Sequence, residues 1–110
     1  MTIEQADKVD GMGIDIEKGE VVLIISDHLE WADKTAHFSK LENKLGCYIN
    51  FVQSGQLQEA MPQATGMGTR IKLVHQFAPP GEAKSILDSI AQQLSEMGVE
   101  FSYEGIPANY

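Results

Sequence analysis

Val21-Val22-Leu23-Ile24-Ile25 is apolar throughout, and four of its five residues are β-branched. Such side chains suit a pleated strand and lose rotamer freedom in a helix, so the run reads as a strand. Successive side chains of a strand point to opposite faces. Val21, Leu23 and Ile25 therefore share one face, and Val22 and Ile24 share the other. A fold built on this chain must cover one of these apolar faces and account for the second.

The remaining periodicities supply a cover for one face. From Val9, the even positions Met12, Ile14 and Ile16 alternate with Gly11, Gly13 and Asp15, which predicts a half-buried strand. Glu17-Lys18-Gly19-Glu20 provides a turn, so the two strands form a hairpin. From about Leu29 to Gln53 the spacing is helical, with Trp31, Phe38, Leu41, Leu45, Ile49 and Val52 in one stripe and Thr35 and Tyr48 at its edges. Asp27 followed three residues later by Glu30 is compatible with a capping box, while Asp33 would cap a slightly later start. Gly55 fits the helix end.

Residues Gln56 to Gly68, with Pro62 and Gly66, read as a long connection. A third strand is expected from about Thr69 to Phe77, with Ile71, Leu73, His75 and Phe77 on one face and Arg70, Lys72 and Gln76 on the other. Pro79-Pro80-Gly81 breaks the chain. A second helix from about Glu82 to Met97 turns Ala83, Ile86, Leu87, Ile90, Leu94 and Met97 inward and Lys84, Asp88, Gln92 and Ser95 outward. Gly98 ends it, and Val99, Phe101 and Tyr103 alternate as a last strand. The order β-β-α-β-α-β predicts an α+β two-layer sandwich: a four-stranded sheet with two helices on one face. Strand order does not follow from the pattern. The 110 residues fit one domain, with 1–8 expected as a flexible N-terminal segment and 105–110 as a C-terminal tail.

Charge narrows the function. Eight basic residues against sixteen acidic ones give a net charge of −8. Nucleic-acid and anionic-membrane binding both need a cationic surface, so neither is expected. An acidic surface suits a basic protein partner. Cys47 is the single cysteine, which rules out an intrachain disulfide and a multi-cysteine metal site and reads as an inert thiol. The first residues, Met1 to Asp7, lack the basic and apolar regions of a signal peptide, and no apolar run approaches the roughly 20 residues of a membrane helix. A cytoplasmic location is expected. The pairs Gly11-Met12-Gly13 and Gly66-Met67-Gly68 do not open helices as phosphate loops do, and no cofactor is expected.

Ser26-Asp27-His28-Leu29-Glu30-Trp31 gathers a hydroxyl, two carboxylates and an imidazole at the end of a central strand, where α/β proteins bind ligands. Asp27, His28 and Glu30, with His75, are the candidate catalytic groups. Adjacent strand residues diverge, however, so they form no triad by adjacency, and capping accounts for Asp27 and Glu30. A metal would require His28 to converge with His37 or His75, and no ligand spacing supports one. The chain leans away from an enzyme. Apolar surface left over by the fold is the stronger signal. Phe51 lies about 180° around the first helix from the Trp31/Leu45/Ile49 stripe, beside Cys47. Val22, Ile24 and Val74 fall on the uncovered sheet face. Val22, Ile24, Cys47 and Phe51 are thus the candidate interface with a protein partner or a second copy.

Val9-Asp10, Gly13-Ile14-Asp15, Lys18-Gly19-Glu20-Val21-Val22-Leu23 and Ile25-Ser26-Asp27-His28-Leu29-Glu30-Trp31 resemble a family of short bacterial proteins, a domain of unknown function. Leu45, Tyr48, Phe51-Val52-Gln53-Ser54-Gly55-Gln56-Leu57 and Pro79-Pro80 extend the likeness over most of the chain. The resemblance implies a small acidic accessory or immunity-type protein, such as an inhibitor of a toxin.

Overall fold

A computed structural model describes residues 10–106. The expected flexible segment 1–8 and Val9 lie outside these residues, as do 107–110 of the expected tail. The elements run β1 (Gly11–Asp15), β2 (Glu20–Asp27), α1 (Lys34–Gln53), α2 (Gln56–Ala60), a 3-10 turn (Pro62–Ala64), β3 (Gly68–His75), α3 (Gly81–Glu96) and β4 (Val99–Gly105). The sheet order is β1-β2-β3-β4. β1 and β2 form the expected antiparallel hairpin, and β2–β3 and β3–β4 are parallel. Each parallel step needs a crossover, which α1 and α3 provide. This is the predicted α+β sandwich, with one short helix added.

One sheet face is sealed. Val21, Leu23 and Ile25 of β2, Ile71 and Leu73 of β3, and Val99 and Phe101 of β4 join Phe38, Leu41, Leu45 and Tyr48 of α1 and Ala83, Leu87 and Leu94 of α3 in one buried cluster. Fully burying a Leu or Ile side chain stabilises the fold by about 1.5–3 kcal/mol. On the other face Val22 and Ile24 are half-buried.

Element ends explain most departures from the periodic reading. α1 starts at Lys34, because the Asp33 carboxylate accepts the Ala36 N–H at 3.1 Å and caps it. Asp27 and Glu30 form no capping box, and Trp31 precedes the helix. Gly55 and Gly98, at φ +89° and +81°, take the left-handed conformation that stops α1 and α3. After Gly55, α2 and the following turn bring Leu57 and Ala64 into the core, with Met61 packed against it. β1 stops at Asp15, so Ile16 enters the turn and is 87% exposed. β3 stops at His75, which leaves Phe77 beyond the strand and exposed. The apolar stripe of α3 is narrower than expected, since Ile86 and Met97 are exposed. β4 continues through Gly105, into the expected tail.

Candidate functional site

Three places hold polar or apolar groups that the core does not require. The first is the carboxyl end of β2 and β3, where Asp27 and His75 are register partners. Asp27 is buried, and its carboxylate accepts the Leu29 N–H at 3.1 Å and meets His37 Nε2 at 2.5 Å. His37 projects from the first turn of α1 and is itself buried. Its Nδ1 lies 3.1 Å from the Glu30 carbonyl, which can only accept, so Nδ1 carries a proton. Trp31 stacks on the imidazole at 3.7 Å between ring centroids and donates its indole N–H to the Phe77 carbonyl at 3.0 Å.

This cluster ties the segment between β2 and α1 to the sheet. A general base must turn one ring nitrogen toward a reactant. Both nitrogens of His37 are engaged inside the protein. His75 differs: its Nδ1 is buried with no hydrogen-bond partner among the described residues. Burial holds its pKa below the usual histidine value, while the Asp27 charge acts the other way. A Cβ on Gly105 would sit 3.6 Å from the His75 ring, so β4 closes over it. Of the sequence candidates, Asp27 and His75 come together, Glu30 contributes its backbone carbonyl, and His28 stands exposed. No group of three or more His, Cys, Asp or Glu side chains among the described residues could hold a metal ion.

The second place is the edge where β1 begins. Asp10 accepts the Ser26 N–H at 2.8 Å and the Lys44 ammonium at 2.7 Å, and both charged side chains are fully buried. The Asp10 N–H donates to the Tyr48 hydroxyl at 2.9 Å, and that hydroxyl donates to the Ile24 carbonyl at 2.6 Å. Burial pushes the Tyr48 phenol up to about 12. Tyr48 of α1 thus binds the Ile24 carbonyl of β2, and Asp10 takes the Ser26 N–H just beyond the paired residues of β1.

The third place is the open sheet face. In-register partners share a face, so Val22 and Ile24 lie with Gly11, Gly13, Asp15, Glu20, Arg70, Lys72, Val74, Glu100, Ser102 and Glu104. Arg70 pairs with Glu20 at 3.0 Å, and Lys72 with Glu104 at 2.9 Å. A shallow groove of about 530 Å³ runs along β1, over Gly13, Val22 and Ile24, to Ile16, Glu17 and Lys72. Cys47 is exposed on α1, whereas Phe51 is half-buried against the core, so part of the expected apolar patch on α1 is used within the chain. No described helix is long and apolar enough to cross a membrane.

The model of a Family of unknown function (DUF6572) matches residues 1–106, and the chain belongs to that family. No curated protein and no solved structure matches the chain.

Proposed function

We propose that this protein acts by binding, and that its open sheet face receives a basic protein partner with an apolar anchor on Val22 and Ile24. The carrying observation is the composition of that face. Among the described residues, half-buried Val22 and Ile24 sit with Asp15, Glu17, Glu20, Glu100 and Glu104, five carboxylates against the two cations Arg70 and Lys72. Both cations already face carboxylates of this chain. A second copy docked face to face would oppose two surfaces of like excess charge, whereas a basic surface complements it. An apolar centre with a charged rim is the ordinary anatomy of a protein interface.

The test compares affinity capture from the native host by the natural chain and by Ile24→Glu. The expected result is a basic protein held by the former, lost with Ile24→Glu and released near 1 M salt, where screening shortens to about 3 Å. Light scattering of the chain alone should give the 12.1 kDa monomer. Capture indifferent to Ile24, or a dimer that Ile24→Glu dissociates, would overturn the proposal.

A further inference from the structure

Gly11 and Gly13 lie inside β1, and neither is explained by the fold. Their backbones are not left-handed. The register runs unbroken from Gly11 opposite Ile24 to Asp15 opposite Glu20, so no bulge is present. A Cβ at Gly13 would have nothing within 4 Å, and one at Gly11 would meet Ile24 at 3.5 Å, an ordinary contact. Glycine weakens a strand interior by roughly 0.5–1 kcal/mol relative to alanine. Without strain, bulge or crowding, glycine at such positions marks close approach by something else.

What can approach is set by the backbone. The Ser26 N–H points to the β1 side of β2, where Asp10 receives it, and the Asp27 carbonyl points to the β3 side, where it accepts from Gln76. By alternation, Ile24, Val22 and Glu20 bond to Gly11, Gly13 and Asp15. The N–H and C=O groups of Met12 and Ile14 therefore point away from β2, along the sheet edge. A row of outward backbone groups beside a trough without side chains is a template for an added strand.

Resting on the open-face reading above, we infer that the partner engages by strand addition: an extended segment pairs with Met12 and Ile14. Its apolar side chains fill the space over Gly11 and Gly13 against Val22 and Ile24. A lysine or arginine one strand-turn further on meets Asp15 and Glu17, and Ile16, 87% exposed at the end of the groove, is covered. A second copy paired through β1 would set glycine rows against each other and leave the trough empty. Residues 1–9 carry Glu4, Asp7 and one lysine, and lack the basic character the rim selects.

The probe is a synthetic heptapeptide of alternating valine and lysine, titrated into isotope-labelled protein and followed by amide hydrogen exchange. Slowed exchange at Met12 and Ile14, with binding weakened about tenfold or more by Gly13→Val, is the expected result. A Cβ at position 13 has open space, so Gly13→Val should hold or raise the melting temperature. Changes confined to Val22 and Ile24, with Met12 and Ile14 unprotected, would overturn strand addition while leaving open-face docking intact. Protection of those amides in the free protein would overturn it too, because the edge would already be occupied. No effect of the peptide at either place would also overturn it, and capture by Ile24 would still decide the broader reading.

Discussion

Asp10–Lys44 and Glu20–Arg70 are both carboxylate–cation pairs, held at 2.7 and 3.0 Å on opposite sides of the sheet. The first pair has side chains at 0% exposure and the second at 14% and 22%. Their worth differs accordingly. In the dry layer under α1, the Lys44 ammonium and the Ser26 N–H satisfy the buried Asp10 carboxylate, and the pair fixes where β1 and α1 meet. On the open face water still reaches part of both groups, and the pair sets the charge of a surface. One face spends its charges on geometry, and the other keeps them within reach of a partner.

The contrast is broken most directly at Lys44. Lys44→Met keeps the apolar stem but leaves the Asp10 carboxylate buried without its cation. The expected loss is about 3–5 kcal/mol in urea unfolding. Removing both charges together, as Asp10→Asn with Lys44→Met, should restore part of that loss. A loss below about 1 kcal/mol for Lys44→Met would show that the pair behaves like a surface one.

Tyr48 sharpens the same point through pH. Tyr48→Phe deletes the bond to the Ile24 carbonyl and the acceptor for the Asp10 N–H, an expected cost of about 1–3 kcal/mol. Burial pushes the folded phenol up to about 12 from 10.0 in the open chain, so the folded state binds the proton more tightly. Its contribution is complete below the unfolded value and fades as pH rises from there toward about 12. Unfolding midpoints of the natural chain should fall as pH climbs past 10, and Tyr48→Phe should flatten that slope.

These residues also show what could be read in advance. The sheet face of Val21, Leu23 and Ile25 and the stops at Gly55 and Gly98 were legible because period and backbone conformation are local. The buried polar groups were not. Asp27 and Glu30 have the spacing of a capping box, but spacing cannot reveal that a carboxylate is claimed by a histidine ten residues on. His37 carried no local signal. Lys44 did, since a lysine set between Leu41, Leu45 and Tyr48 falls on the buried stripe and demands a partner. The five-residue α2 is too short for helical periodicity to register. Val22 and Ile24 were placed on the open face correctly, but the glycines beside them became informative only once each Cβ could be set against its neighbours.

Arg70 gives the smallest effect on stability. Arg70→Ala removes a partly solvated pair, so unfolding should change by no more than about 1 kcal/mol. Its effect on association should run the other way. Without the guanidinium, Glu20 stands uncompensated and the open face gains net negative charge. A basic partner should then arrive faster at low salt, with the gain disappearing as ionic strength rises, because rim charges act mainly on the association rate. Stopped-flow association with the captured partner at two salt concentrations would measure this. A slower rate at low salt would mean that Arg70 itself touches the partner, and the docking surface would have to be drawn around a cation rather than around Val22 and Ile24.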